Sequence, residues 1–317
     1  TGLGKDFSGN GNYFNTNNIS VTSGVTYDAM TDVPTLTSTT VANYPVINPL
    51  NATSAPTNGN LSVAGTAPQN WRTTMALPAS GKIYAELTCT DTNGSQRDGF
   101  GIQLINTTST GIGIDTAGYA YCGALGQIFY NGSATVSGLA TWTNGDVVQI
   151  AIDCANGYVW FGKNGTWQAS GNPSTGASPT LTVSNMSNYC VAFGTVAINT
   201  WYASGNLNMG QQPWAYTPPS GFVALNTYNL ATPTVAKGNL FFTPSLYTGN
   251  GTSQSITNTG FQPDLVWTKS RSNAYNNTWV DSTRGVSHSL VSDLDSAEDY
   301  TAAVSYTHLT LPTILLV

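Results

Sequence analysis

From Leu61 to Thr195 the chain alternates strand-length apolar runs with clusters of Gly, Asn, Ser and Thr. The runs read NLSVAG, GKIYAELTCT, DGFGIQLI, QIFYNGS, DVVQIAID, YVWFG, PTLTVS and YCVAFGT. Short β-type runs repeated at this spacing predict two antiparallel sheets packed face to face. In KIYAELTCT, Ile83, Ala85, Leu87 and Cys89 alternate with Lys82, Tyr84, Glu86 and Thr88, the pattern of a half-buried strand. IAIDCANGYVWFGKNGTW adds two Asn-Gly pairs, the strongest short-range hairpin signal. It predicts strands at Val147–Asp153 and Tyr158–Gly162, and another starting at Thr166. Alternation puts Val159 and Phe161 on one face of the middle strand and Tyr158 and Trp160 on the other.

The flanks differ. Residues 1–58 are turn-rich and broken by Pro34, Pro45, Pro49 and Pro56, so they predict an extended segment packed on something else. In 208–226, NMGQQPWAYTPPSGFVALN, three prolines oppose ladder pairing while Trp214, Tyr216 and Phe222 need burial. An irregular strap across the sandwich reconciles the two. From Gly238 a second β-rich unit begins, with LYTGNGTSQSIT read as a hairpin and PDLVWTKS as a strand. The expected organisation is therefore an extended segment at 1–58, a sandwich at 59–226 and a partial β unit at 238–303.

Composition strengthens the all-β reading. Charged residues are 8%, against about 25% in an average soluble protein, so the polarity comes from turn and strand formers. The nine Lys and Arg form no cluster and the net charge is -6, which disfavours nucleic acid and anionic membranes as partners. No apolar run approaches the ~20 residues of a membrane span. A start at Thr1 instead of Met points to a fragment or processed product. Cys89, Cys122, Cys154 and Cys190 lack the paired spacing of zinc sites. Free buried thiols are the first expectation, a disulfide the alternative.

Four pieces in this order, GKIYAELT, GFGIQL, GDVVQIAIDCANGYVWFGKNGTW and LNMGQQPWAYTPPSGFVALN, resemble the SPRY domain as carried by tailed-bacteriophage virion proteins. The resemblance implies an antiparallel β-sandwich of the SPRY or concanavalin-like jelly-roll type. It also implies a binding module in a virion component of tail or tail-fibre kind. The head, DFSGNGNYFNTNNISVTSGVTYDAMTDVPT, resembles the linker before this domain in phage structural proteins, and YTGNGTSQSITNTGFQPDLVWTKSRS with VDSTRG is similar to a phage tail β-domain, here cut short. VSYTHLTLP, from Val304, resembles a translated sequencing adapter, so residues 304–317 are set aside from fold reasoning.

Reactive groups are sparse. His288, flanked by Ser287 and Ser289, has no nucleophile elbow near it, and Glu86 and Glu298 are the only glutamates. DLDSAED lacks the glycine and closing glutamate of a calcium loop. The glycines of STGIGID mark turns, since no helix follows them. No catalytic residue, metal site or cofactor is expected, and Asp98, Asp115, Asp146 and Asp153 read first as turn and strand-end residues. For binding, the resemblance implies loops at one edge of the sandwich, near Asp91–Gly99, Asn131–Ser137 and Asn164–Pro173. The candidates are Trp160, Trp167, Asn164, Asn131 and Asp98. Implied partners are other virion proteins or a host surface protein or glycan, with a homo-oligomer open. A carbohydrate-binding adhesin is the alternative, and a capsule depolymerase a weaker one.

Overall fold

The computed structural model describes residues 10–298 apart from 14, 16, 18, 21–28, 67, 93–96, 197–200, 232–234, 236, 253 and 286. Much of the linker-like head and the whole adapter-like tail therefore lie outside the described residues. The chain divides into two compact units, residues 1–231 and 232–317. Among the described residues there is no α-helix, only strands and two three-residue 3₁₀ turns.

In chain order the first unit carries β1 (Ser62–Thr66), β2 (Asn70–Arg72), β3 (Lys82–Cys89), β4 (Asp98–Leu104), β5 (Gly118–Cys122), β6 (Gln127–Tyr130) and β7 (Ser133–Val136). There follow β8 (Val147–Asp153), β9 (Tyr158–Lys163), β10 (Thr166–Trp167), β11 (Leu181–Thr182), β12 (Tyr189–Thr195), β13 (Tyr202–Asn208) and β14 (Val223–Ala224). One sheet runs β1-β13-β3-β8-β9-β10, with β11 on β9 and β14 parallel to β3. The other runs β2-β12-β4-β5-β6-β7. All pairings but the β14 one are antiparallel, and the result is the expected sandwich.

Between the sheets lie Ile83, Leu87, Ile150 and Phe161 from one side and Trp71, Phe100, Tyr121 and Phe193 from the other. Phe161 meets Tyr121 across the gap at 5.5 Å, and Trp71 stacks on Phe193 at 5.5 Å. The two Asn-Gly turns fall where expected. Asn164 and Gly165 have φ of 47° and 83°, and a Cβ on Gly157 would stand 2.2 Å from the Val183 carbonyl oxygen. No L-residue with a side chain fits the second of these sites.

The half-buried reading of β3 needs correction, because Tyr84 and Glu86 on its other face are also buried. The cause is the strap. It leaves β13 at Asn208, crosses the outer face of the sheet, and rejoins it as β14 beside the start of β3. Trp214 packs edge-on against Tyr84 at 5.0 Å, Phe222 against Trp160 at 6.2 Å, and Lys82 Nζ lies 5.5 Å above the Phe222 ring. Residues 105–117 cover the second sheet's outer face in the same way. Arg72 donates to the carbonyls of Ile105 (3.0 Å) and Thr107 (2.6 Å), Asn70 to that of Ser109 (2.7 Å) and Gln103 to that of Gly111 (3.0 Å). Polar side chains on these outer faces thus hold the backbones that cover them.

The N-terminal segment packs as expected, with Tyr44 and Ile47 buried and Ile47 bridged to Thr73. The second unit has β15 (Leu265–Thr268), β16 (Thr278–Asp281) and β17 (Leu290–Val291), in the order β15-β16-β17. PDLVWTKS supplies β15 as expected. Residues 246–257 form no ladder, so the hairpin reading there fails. Asn250 instead turns the chain locally by accepting the Thr252 N–H at 3.0 Å.

Candidate functional site

The sheet geometry separates the five sequence candidates. Trp160 is 0% exposed. It lies beneath the strap with Tyr84, Ala151 and Phe222, its Nε1 donating to the Ala177 carbonyl at 2.9 Å. It is a packing residue, the bland alternative for that face. Asp98 is also 0% exposed, because it is the first residue of β4 and points between the sheets. Neither can contact a ligand at the surface. Trp167 is half-buried on the outer face, edge-on to Tyr84 at 6.4 Å. Asn164 and Asn131 are exposed at turns.

Those two turns stand at opposite ends of the sandwich. Asn131 follows β6 beside Asp115, whose carbonyl accepts its N–H at 2.9 Å. There β4 pairs Gln103 with Gly118. Asp98 is at the other end of β4, a strand length of roughly 20 Å away. Asn164 belongs to the Asp98 end. It donates to Asp146 at 2.6 Å and accepts the Val147 N–H at 2.8 Å. The Asp146 carbonyl in turn accepts the Cys89 N–H at 2.9 Å, and Cys89 Sγ lies 3.5 Å from the Asp98 carboxyl.

At this end several groups gather that the sequence did not single out. Lys163 reaches Asp146 at 3.0 Å, and Arg97 sits 5.2 Å from the Trp201 ring. Thr143–Gly145 and Asn164–Thr166 form exposed polar turns beside Lys163 and Asp146. Tyr216 of the strap lies over Gly165, where an added Cβ would approach its ring to 2.8 Å. Only distant pairing brings these residues together, so no local motif announces them. The loop at 91–99 was expected here; its residues 93–96 lie outside the described ones.

Electrostatics divides the end into a rim and a floor. Burial alone would raise the Asp146 carboxyl, but the N–H of Thr143, the Asn164 amide and Lys163 outweigh it and hold it low. Asp146 is thus a fixed anion in a satisfied cage. Asp98, beneath, is pushed up to about 8 by burial and by the neighbouring Asp91, against relief from Cys89 and the Ser204 N–H. It is a neutral acid at pH 7, with no exposed face to offer a substrate. The four cysteines are free and buried, and burial raises every thiol, Cys122 and Cys190 to about 11. Thiols so raised are poor nucleophiles. Among the described residues no group of three His, Cys, Asp or Glu could hold a metal ion. In the second unit Glu298 of the acidic run lies 3.9 Å from Arg284 Nη1 and 3.6 Å from His288 Nδ1.

Two family models match the chain. Residues 85–212 match the SPRY domain model, and residues 237–310 match a domain of unknown function, DUF7483. No curated protein matches the chain. Among solved structures, the SPRY domain of human HERC1 is similar at 14% identity and a TM-score of 0.42, covering 51% of this chain and 96% of that one. The SPRY match thus spans the body of the sandwich, from within β3 to just past β13.

Proposed function

We propose that this chain is a non-enzymatic component of a bacteriophage virion, of tail or tail-fibre kind, in which the SPRY sandwich is a binding or assembly module. One observation carries the binding role. Both flat faces of the sandwich are covered by its own chain, which leaves the ends for partners, and one end carries the Arg97–Trp201 pair and, separately, the exposed polar turns 143–145 and 164–166. Aromatic and Arg side chains amid small polar residues are the composition of protein-recognition surfaces. The phage assignment rests on the SPRY, strap and linker motifs in their order, and the partners it favours are other virion proteins or a host surface protein.

A glycan ligand is the weaker reading, since Trp160 lies under the strap and Trp167 is half-buried. The depolymerase reading loses its obvious acid pair, because Asp91 and Asp98 are both 0% exposed. The decisive experiment is recovery of the DNA flanking this gene. Neighbouring genes for tail components are expected, and a setting without virion genes overturns the assignment. For the surface, Trp201→Ala and Arg97→Ala are expected to abolish capture of partners from purified particles while the melting temperature holds.

A further inference from the structure

Asn-Gly pairs are open to self-modification, because glycine carries no side chain to keep its nitrogen from the preceding carboxamide. The chain repeats the pair at its turns, and the fold treats the copies differently. In the sandwich the described pairs begin at Asn58, Asn131, Asn144, Asn156 and Asn164. At Asn131 and Asn144 the glycine nitrogen is occupied: Gly132 donates to the Gly113 carbonyl at 3.0 Å and Gly145 to that of Cys89 at 2.9 Å. At Asn58, Asn156 and Asn164 the side-chain amide is pinned instead, donating to Ser62 at 3.3 Å, Asp153 at 3.0 Å and Asp146 at 2.6 Å. Each of these turns holds one of the two groups that must meet for the pair to react.

Asn250–Gly251, in the second unit, holds neither. Asn250, Gly251 and Thr252 are exposed, and a Cβ added to Gly251 would meet nothing within 4 Å. The Gly251 N–H and the Asn250 amide nitrogen meet no acceptor among the described residues. Asn250 Oδ1 accepts both the Thr252 N–H and the Thr252 hydroxyl, each at 3.0 Å. These two bonds fold the carboxamide forward over the Gly251 peptide and bring Cγ towards its nitrogen. They also set two donors on the oxygen that takes up negative charge when Cγ is attacked. All the reacting atoms lie within three consecutive residues, so nothing else in the unit has to supply one.

We infer that Asn250 is a site of spontaneous modification, closing a succinimide with Gly251 that water reopens to aspartate or isoaspartate. Hydroxide from solvent takes the Gly251 amide proton, the nitrogen bonds to Cγ, and the charge passes to Oδ1 between its two donors. The Cγ–Nδ2 bond then breaks, and the nitrogen takes up a proton and leaves as ammonia. Water adds to either ring carbonyl and opens the ring. One water is consumed and one ammonia released, with no change of oxidation state. The product carries a new carboxylate, and its isoaspartyl form runs the main chain through Cβ. The second unit therefore changes charge and backbone with age while the sandwich turns keep theirs. This inference is independent of the virion assignment.

Ageing the full chain in mildly alkaline buffer, with peptide mass mapping and isoaspartyl detection, tests it. The peptide holding Asn250 should gain about 1 Da and release ammonia in step, while the sandwich peptides stay unchanged. In urea, where the turns are lost, the sandwich pairs should convert alongside it. Thr252→Val keeps the Asn-Gly pair but removes one donor from Oδ1, and should slow conversion about tenfold, less than such a donor is worth in an enclosed site. Thr252→Ser restores the hydroxyl and should keep the parent rate. An Asn250 that stays intact, sandwich pairs that convert as fast in the folded chain, or a Thr252→Val variant as fast as the parent overturns the inference. So does a Thr252→Ser variant as slow as the valine one.

Discussion

Replacing Asp98 by asparagine tests the floor beneath the candidate surface. The carboxyl is wholly enclosed at the junction of the sheets, and burial together with Asp91 raises it to about 8 from an ordinary 3.8. A carboxyl raised on folding favours the protonated native state. Its contribution is therefore complete below pH 4, and it is lost as pH rises towards 8. Within that window each pH unit costs about 1.4 kcal/mol, on the order of 4 kcal/mol between pH 5 and 8. Groups held low, Asp146 and Asp281, lose their contribution only in acid, whereas Glu86, also raised by burial, adds a decline of the same sign that Asp98→Asn leaves in place. Urea unfolding at pH 5, 6.5 and 8 should show the parent weakening steadily. Asp98→Asn, equal in shape and always neutral, should flatten the profile and be the more stable form at pH 8. A parent whose stability is level or rises from pH 5 to 8 would refute the enclosed neutral acid.

Other perturbations probe the covering segments. Trp160→Ala should cost about 3–5 kcal/mol in urea unfolding, as loss of a fully buried ring does; a variant as stable as the parent would contradict its place beneath the strap. Glu86 accepts the N–H of Ala215 and Tyr216, each at 2.9 Å, so Glu86→Ala should speed hydrogen exchange at those two strap amides before any other part of the sheet. Gly165→Val should destabilise by more than 1 kcal/mol, since φ is 83° and the Tyr216 ring occupies the space, with melting temperature as the readout. Arg72→Met should leave the sandwich folded while residues 105–117 become sensitive to protease, because the carbonyls of Leu104, Ile105 and Thr107 lose their donor.

The sandwich was legible because period-2 patterning and Asn-Gly turns are local signals. They located β8, β9 and β10 almost to the residue, and they divided β9 correctly into Val159–Phe161 and Tyr158–Trp160 faces. The Pro- and Trp-rich stretch after Asn208 likewise announced the strap. Tyr84 and Glu86 misled, since residues alternating with an apolar face read as solvent-facing until the covering segment is known. GYAYC and YASGNLN, now β5 and β13, lacked enough apolar residues to register as strands. Trp201 and Lys163 were not singled out, because strand pairing rather than spacing brings them to Arg97 and Asp146 respectively.

Enclosing both flat faces has a consequence for how such a molecule can diversify. A strand residue here is answerable to two layers at once, so drift along the sheets is penalised on either side. The turns at 143–145 and 164–166 answer to neither layer. Even there Asn164 and Gly165 are held by their positive φ and by Tyr216, so the room for change narrows to their exposed neighbours, the working bit of a screwdriver whose handle stays fixed.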